Sequence, residues 1–315
     1  MAEESSPKSE IAYETACGAM VHSSIEDFLN SSLAEEHTGK VDLLFTSPPF
    51  PLLRKKDYGN HSGEEYLEWL ASLAEPLADL LSDSGSLVIE IGNAWEPGSP
   101  TMSTLPLRAL LTLQEAAGLH LCQTFIAHNP ARLPSPIQWV NVERIRVKDS
   151  YTHIWWLSRT PRPHADNRNV LVPYSDSMKQ LLRRRRYNAG QRPSEHDIGK
   201  TSFLANNGGA IPPNVFTVSN TRSNDDYRKY CIDRGLKVHP ARMAPELAQF
   251  FIEFLTSPGD LVCDPFAGSN TTGAKADELD RRWLSIERSR EYILGSRARF
   301  EMDSLVLHAS GTTPG

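Results

Sequence analysis

The sequence predicts an α/β fold with a mostly parallel sheet that is built from both ends of the chain. Short apolar runs alternate with segments of helical periodicity from residue 18 to 157 and again from residue 244 onwards. Between residues 160 and 238 the alternation stops, and Pro, Asn, Ser and Arg dominate. We therefore expect three segments, residues 1–159, 160–238 and 239–315, of which the first and third share the sheet.

The individual elements follow from these patterns. Continuous apolar runs, typical of strands buried on both faces, predict strands at 18–22, 41–45, 86–91, 121–127, 154–157, 261–264 and 283–287. Leucine-rich helical spacing predicts helices at 25–33, 64–81, 105–117, 244–255, 272–279 and from Arg290. Ser23 or Ser24 can cap the first helix with Asp27, a turn is expected at 83–85, and Gly118 closes the third helix.

Length and composition indicate a globular, intracellular protein. The chain has 315 residues and 39% hydrophobic residues, enough for a sizeable core, and its first 13 residues are polar and expected to be disordered. We find neither a signal peptide nor an apolar run long enough to cross a membrane. Its four cysteines, Cys17, Cys122, Cys231 and Cys263, lack metal-site spacing, which favours a reducing cytoplasm over a disulfide framework or a structural metal.

The charge is unevenly distributed along the chain. The net charge is −6, yet residues 141–237 hold 18 Lys and Arg against 9 Asp and Glu, a net of +9. A basic segment within an acidic protein is typical of a surface that faces nucleic acid. A solvated loop region is the alternative, above all for the run Arg183 to Arg186.

A strand followed by two prolines carries the first chemical signal. Thr46-Ser47-Pro48-Pro49-Phe50 comes directly after the predicted strand 41–45. Neither proline has an amide hydrogen, so the sheet hydrogen bonding cannot continue through this segment and the carbonyls of Ser47 and Pro48 stay available as acceptors. The two proline rings also make the tip rigid. It offers a hydroxyl, carbonyl acceptors and an aromatic ring, which suit a planar group with an exocyclic amine. An ordinary Pro-Pro turn is the alternative.

A glycine-rich loop near the other end of the chain carries the second signal. Asp264 ends a predicted strand, and Gly268 and Gly273 allow a tight turn into a helix whose first amides can meet a ligand. Glu287 ends the next strand, 23 residues later, where an acid can accept from ribose hydroxyls. The loop matches neither a P-loop nor GxGxxG, and Asp264 would repel a pyrophosphate. A positively charged adenosine ligand such as S-adenosylmethionine fits better, with a simple α/β turn as the alternative.

Together the two motifs resemble those of the DNA amino-methyltransferases. Thr-Ser-Pro-Pro-Phe precedes the variable middle and Asp-Pro-Phe-Ala-Gly-Ser follows it, an order similar to the β-class arrangement. The resemblance to N4-cytosine enzymes of that class covers residues 18 to 300. It extends to Arg54-Lys-Lys, Tyr58-Gly-Asn, Leu133-Pro-Ser-Pro-Ile, Ile145-Arg-Val-Lys-Asp, Pro173-Tyr-Ser-Asp, His196-Asp-Ile-Gly-Lys and Asn207-Gly-Gly-Ala-Ile-Pro-Pro-Asn.

This resemblance implies a class I S-adenosylmethionine-dependent methyltransferase sheet, circularly permuted, in which 160–238 is an inserted target-recognition region. The implied catalytic residues, all within the N-terminal segment, are Ser47, Pro48, Pro49 and Phe50. The implied cofactor-binding residues, mostly within the C-terminal segment, are Thr46, Asp264, Phe266, Gly268, Ser269 and Glu287. The DNA-binding candidates are Arg54, Lys55, Lys56, Arg183, Arg184, Arg185, Arg186, His196 and Lys200, and no metal is expected.

The resemblance also implies substrate and chemistry. A target cytosine must leave the duplex, stack on Phe50 and give its amine hydrogens to Ser47 and the Pro48 carbonyl. Direct transfer to N4 needs no covalent adduct, and the chain has no Pro-Cys dipeptide of the kind used by carbon-5 enzymes. The middle segment resembles that of enzymes acting on CAGCTG, which implies CAGCTG as the target sequence. The resemblance also implies a modification role, with a restriction endonuclease as genetic partner. Oligomeric state is not predicted.

One position departs from the family pattern, and three other functions stay open. Where the family often has Gly-Asp beside the adenine, this chain has Ser23-Ser24, so adenine must be held differently. His239-Pro-Ala-Arg242 resembles the segment that closes over the methionine end of the cofactor. The alternatives are an N6-adenine enzyme, which usually has Asp or Asn at position 47, a DNA-binding protein without catalysis, and a restriction nuclease, for which the metal cluster is missing from the sequence.

Overall fold

The computed structural model describes residues 9–50, 63–195, 197–218 and 225–300. Contacts divide the chain into a larger unit, Met1–Ala165 with Asn214–Gly315, and a smaller unit, Asp166–Pro213. The smaller unit lies inside the predicted recognition region 160–238, whose two ends belong to the larger unit.

The strands and helices follow the predicted alternation. The strands are β1 (Glu10–Glu14), β2 (Gly18–His22), β3 (Val41–Thr46), β4 (Leu81–Gly92), β5 (His120–His128), β6 (Tyr151–Ser158), β7 (Gly190–Gln191), β8 (Asp197–Ile198), β9 (Val215–Thr217), β10 (Leu261–Asp264) and β11 (Arg282–Glu287). The helices are α1 (Ile25–Leu29), α2 (Ser32–His37), α3 (Gly63–Leu80), α4 (Leu105–Ala117), α5 (Asp176–Arg184), α6 (Asp226–Asp233), α7 (Pro245–Leu255), α8 (Thr271–Glu278) and α9 (Arg290–Ser296). Across the described ranges, none of these helices combines the length and apolar character of a membrane span.

Nine described strands form one mixed sheet in the larger unit. Their order is β1-β2-β11-β10-β3-β4-β6-β5-β9. The central neighbours β2, β11, β10, β3 and β4 are parallel to one another, and β6 runs antiparallel between β4 and β5. The predicted sheet with strands from both ends of the chain is confirmed, since β10 and β11 lie between β2 and β3.

The core occupies both faces of this sheet. Along β3, Leu43 and Phe45 pack with α7 on one face, whereas Leu44 packs with α3 and α4 on the other. All three side chains have 0% exposure. This strict alternation within an apolar run is what burial on both faces requires, because successive side chains of a strand point in opposite directions.

Three local predictions are wrong. The helix expected at 25–33 is broken by Ser31, which has extended backbone and donates its hydroxyl to the Phe28 carbonyl at 2.6 Å. The turn expected at 83–85 is an irregularity inside β4, because Val41 pairs with Leu81 but Leu43 pairs with Ser86. Residues 10–13, expected to be disordered, belong to β1, which pairs with β2 and buries Tyr13.

The connections create a switch point between β3 and β10. From β3 the chain continues to β4 on one side, and from β10 it continues to β11 on the other. In open α/β sheets, ligands bind outside the carboxyl ends of the strands where the connections diverge in this way. Both sequence motifs follow the strands that flank this point.

Candidate active site

A cavity of about 660 Å³ opens at the carboxyl edge of the sheet in the larger unit. Its wall contains both sequence motifs, which are more than 200 residues apart along the chain. The predicted residues that line it are Ser47, Pro48, Pro49, Phe50, Asp264, Phe266, Ser269 and Glu287, together with the segment His239, Pro240, Ala241 and Arg242. The fold therefore brings the predicted catalytic and cofactor residues into one space.

Asp264 joins the two motifs across the switch point. Its carboxylate accepts hydrogen bonds from the Thr46 and Thr272 hydroxyls, both at 2.7 Å, and from the Phe266 amide at 3.1 Å. Burial raises the pKa of Asp264, and these three hydrogen bonds oppose that rise. Thr46 has 1% exposure and donates its hydroxyl to Asp264, so it acts on the cavity through that carboxylate.

Glu287 holds the glycine loop by its backbone. One carboxylate oxygen accepts from the Gly268 amide at 2.8 Å and the other from the Ser289 amide at 2.7 Å. Gly268 has φ +52, and a Cβ at this position would stand 2.8 Å from the His239 ring, so the loop requires glycine here. Burial raises the pKa of Glu287, against the effect of the two amides. Each oxygen keeps a lone pair for a further donor.

Arg299 holds the glycine loop at Ser269 through two hydrogen bonds. Its guanidinium donates to the Ser269 carbonyl at 2.5 Å and to the Ser269 hydroxyl at 3.0 Å, and it lies over the Tyr227 ring at 4.9 Å. Burial lowers the pKa of Arg299, and Asp225 opposes this most strongly. Asp225 also forms an ion pair with Arg242 of the cavity wall.

The Ser-Pro-Pro-Phe tip also lines the cavity. The Ser47 hydroxyl donates to the Glu90 backbone carbonyl at 3.4 Å, a long hydrogen bond that leaves the serine oxygen able to accept. The Phe50 ring lies against Gly92, where a Cβ would come within 2.7 Å of it. Gly92 thus makes room for the aromatic ring at the end of β4.

Glu90 is a site residue that the sequence prediction missed. Its side chain lines the cavity near Ser47 and accepts from the Thr152 hydroxyl at 2.8 Å. Burial raises the pKa of Glu90, while the Thr152 hydrogen bond and the positive charge of Arg132 lower it. The sequence could have indicated Glu90, since it is an acid near the carboxyl end of the predicted strand 86–91, where the site residues of a parallel sheet gather.

The hydroxyls of Ser23 and Ser24 both form hydrogen bonds within the protein. Ser24 caps α1: its oxygen accepts from the Asp27 amide at 3.1 Å and its hydroxyl donates to the Asp27 carboxylate at 2.8 Å. Ser23 lines the cavity, but its hydroxyl shares a hydrogen bond with Ser9 at 2.9 Å. The predicted cap is therefore confirmed at Ser24.

The described DNA-binding candidates lie in the smaller unit. Arg183 and Arg184 form the last turn of α5, Arg185 ends the helix with φ +47, and all of the run Arg183 to Arg186 is exposed. Cations at the carboxyl end of a helix also interact favourably with the helix dipole, so helix stabilisation alone can explain the arginines in the last turn. Lys200 is exposed as well. Arg54, Lys55, Lys56 and His196 lie outside the described residues.

Comparison with known proteins decides the family. The family model for N6 and N4 methyltransferases, described as DNA methylase, matches residues 41–297. The chain belongs to this DNA methylase family. It is a DNA methyltransferase with the S-adenosylmethionine-dependent fold predicted from its motifs, and that prediction is confirmed.

Individual relatives agree with this family. The type II methyltransferase M.PvuII of Proteus hauseri is 44% identical over 291 residues, 92% of this chain and 85% of that protein. M.BglII of Bacillus subtilis is 23% identical over 80% of this chain and 61% of that protein. Both relatives are named as type II methyltransferases, in keeping with the family prediction.

Solved structures agree with the fold. The cytosine-N4-specific PvuII DNA methyltransferase superposes with a TM-score of 0.74 at 36% identity, over 96% of this chain and 92% of that one. The S-adenosylmethionine complex of M1.HpyAVI gives 0.54 at 18% identity, over 90% and 100% of the chains, which supports the fold alone.

Proposed function

We propose that this DNA methylase transfers a methyl group from S-adenosylmethionine to the N4 amine of a cytosine flipped out of duplex DNA. The observation that carries the proposal is that the Ser47 tip and the Asp264 loop line the same cavity. The likeness to a cytosine-N4-specific relative supports the choice of cytosine, and Ser47 in the first catalytic position supports it independently.

The cavity suits the methyl donor by size and by charge. A volume of about 660 Å³ is in the usual range for a cofactor site. Asp264 and Glu287 provide negative charge, Glu287 retains acceptors for ribose hydroxyls, and Phe266 gives an apolar surface for adenine. The Phe266 ring is itself held edge-on by Trp69 at 5.8 Å between ring centroids. When bound, S-adenosylmethionine supplies an electrophilic methyl group and leaves as a neutral thioether.

The Ser47 tip prepares the amine of cytosine. Phe50 stacks on the flipped base, and the Ser47 oxygen and the Pro48 carbonyl accept the two amine hydrogens. These acceptors draw the N4 lone pair out of conjugation with the ring, which makes the nitrogen a better nucleophile. The gain comes from positioning and from fixed dipoles, with no covalent enzyme adduct.

Glu90 accepts the proton that the reaction releases. N4 forms one bond to the methyl carbon and must lose one proton to become the neutral product. The Glu90 carboxylate lines the same cavity, and its raised pKa makes it a stronger base than an exposed glutamate. The Thr152 hydroxyl and the positive charge of Arg132 favour the ionised form of Glu90 and oppose the effect of burial on its pKa.

Residues 160–238 recognise the target in this proposal. The smaller unit at their centre carries 8 Lys and Arg and 4 Asp and Glu, a net of +4. Arg183 to Arg186 and Lys200 contact phosphates, and the candidates Arg54, Lys55, Lys56 and His196 contribute from outside the described residues. The similarity to M.PvuII supports CAGCTG, methylated at the inner cytosine, and a modification role beside a restriction endonuclease.

Nucleoside analysis tests the proposal. The purified protein is incubated with S-adenosylmethionine and a plasmid containing CAGCTG, and the digested nucleosides are identified by mass spectrometry. We expect N4-methylcytosine, resistance of the plasmid to a nuclease that cuts CAGCTG, and loss of both with Ser47→Ala at little cost in duplex binding. 5-Methylcytosine or N6-methyladenine as the main product would overturn the assignment, and methylation at another sequence would overturn only the recognition site.

A further inference from the structure

The connection between β5 and β6 has the surface of a DNA-contacting element that the two motifs do not include. We call residues 129–150 the β5–β6 arm. It contains five of the fifteen large hydrophobic side chains that are exposed in the described part of the chain: Leu133 (81% exposed), Ile137 (65%), Val142 (63%), Ile145 (48%) and Val147 (86%). So dense a set of exposed apolar side chains on an ordinary protein surface calls for a partner.

The arm is held by hydrogen bonds, so its apolar side chains are exposed on an ordered segment. At its base the Asn129 amide donates to the Ser150 carbonyl at 2.8 Å, and the Asp149 amide donates to the Ser135 carbonyl at 3.0 Å. Asn93 donates to the Asp149 carboxylate at 2.9 Å, which ties the arm to the end of β4. Its centre is a turn of π-helix, Gln138–Val142.

Positive charge accompanies the apolar side chains. Arg144, Arg146 and Lys148 alternate with Ile145 and Val147, and all five residues are exposed. Exposed cations beside exposed apolar side chains suit a partner with both phosphates and stacked apolar bases.

The arm is also continuous with the substrate cavity. Arg132, Leu133 and Ser135 line the cavity that contains Ser47 and Phe50. Leu133 therefore belongs to the cavity wall and yet is 81% exposed. A flipped base leaves a gap in the stack beside the cavity that receives it, and apolar side chains fill such gaps in other DNA complexes.

We propose that the β5–β6 arm binds the target duplex, with Leu133 entering the gap left by the cytosine and Arg144 pairing with a flanking phosphate, while Lys148 holds the arm by donating to the Pro130 carbonyl at 2.8 Å and the Arg132 carbonyl at 3.3 Å. The proposal rests on the proposed function, because it needs a flipped base. The arm's positive charge complements phosphates, and its place in the wall of the substrate cavity favours DNA as its occupant over a second copy of this chain.

Leu133→Ala tests the insertion, with Leu107→Ala as the matched control. Leu107 is an exposed leucine (52%) on α4 that does not line the cavity. Single-turnover methylation is measured on a duplex that the wild type modifies, and on the same duplex with the target cytosine opposite an abasic site. Weak pairing lowers the cost of flipping. We expect Leu133→Ala to lose roughly tenfold or more on the paired duplex and to recover on the abasic duplex.

The controls separate insertion from other defects. Leu107→Ala should match the wild type on both duplexes, and thermal unfolding should show that Leu133→Ala is folded. Arg144→Ala should weaken binding to both duplexes and lower the slope of log affinity against log salt by about 1.

Three results would overturn the insertion of Leu133. Equal rates for Leu133→Ala and wild type on the paired duplex, or equal losses on both duplexes, would overturn the insertion. A changed oligomeric state with unchanged DNA binding would show that a second copy occupies the arm and would overturn it as well. A wild-type protein that methylates no duplex would refute the proposed function itself and this inference with it.

Discussion

Replacing Thr46 by valine removes a hydroxyl at the point where the two motifs meet and keeps a side chain of similar shape. The lost hydrogen bond is 2.7 Å long and ends on the carboxylate of Asp264. Thr46 has 1% and Asp264 has 4% exposure, so water cannot take the place of the hydroxyl. Hydrogen bonds to charged groups contribute about 1.5–3 kcal/mol, and this burial places Thr46→Val at about 2–3 kcal/mol of lost stability.

Urea denaturation and thermal unfolding measure this cost. At a few degrees per kcal/mol for a protein of this size, the Tm should fall by about 4–10 °C. The control is Thr38→Val, which removes a 3.3 Å hydrogen bond from an exposed threonine to the Ala34 carbonyl. It should cost less than about 1 kcal/mol, because water can replace that bond.

Thr272→Val removes the second hydroxyl from the same carboxylate and makes a double-mutant cycle possible. Alone it should cost about as much as Thr46→Val. The double variant should cost clearly less than the sum, because a buried carboxylate that has lost both hydroxyl donors and keeps only the Phe266 amide takes up a proton more readily. If the two losses in unfolding free energy are strictly additive, or if Thr46→Val unfolds like the wild type, then Asp264 does not hold the two motifs together.

The pH dependence follows from the direction of the pKa shift. The folded pKa of Asp264 is raised by burial, so the contribution of this group to stability is fully present at low pH and declines as pH rises from the unfolded to the folded pKa. Either valine variant removes a hydrogen bond that lowers the pKa and therefore raises it further. The stability cost of Thr46→Val should accordingly be smaller at a pH of about 4.5 than at a pH of about 8.

Three further predictions concern cofactor, catalysis and DNA. Glu287→Ala should weaken S-adenosylmethionine binding by about 1–3 kcal/mol in calorimetry, and unchanged tight binding would contradict the cofactor assignment. Thr152→Val removes a hydrogen bond that lowers the pKa of Glu90, so the acidic limb of the rate profile should move to higher pH; an unmoved limb would rule out Glu90 as the proton acceptor. Neutralising Arg183 to Arg186 should weaken binding to all duplexes alike and flatten its salt dependence, whereas unchanged binding would leave the run a solvated helix end.

The sheet and the position of the site were predictable because their signals are local. The runs at β3 and β10 are apolar throughout most of their length, as burial on both faces requires, and each motif begins where its strand ends. The carboxyl ends of parallel strands share one edge, so two distant motifs could be expected to meet. The break at Ser31 was missed because leucine spacing on both sides of it continued the helical pattern.

The bonds that hold the site depended on tertiary structure. Arg299 reaches Ser269 from 30 residues away and interacts with Asp225, which also pairs with Arg242, and no sequence spacing marks these contacts. Glu90 was nearer to prediction, since its place at a strand end was known. Its hydrogen bond with Thr152 depends on the pairing of β4 with β6, which only the folded sheet supplies.

The two acids of the glycine loop have structural roles that come before any contact with a ligand. Glu287 accepts a hydrogen bond from the Gly268 amide, and Asp264 accepts from the Thr46 and Thr272 hydroxyls. Thr46 directly precedes Ser47, so the carboxylate that holds the glycine loop also holds the backbone from which the Ser47 hydroxyl projects. We therefore expect a displacement of one motif to be transmitted to the other through this hydrogen bond. For a direct displacement, which depends on alignment of donor and acceptor, such rigid coupling is the physical advantage of placing both motifs at one switch point.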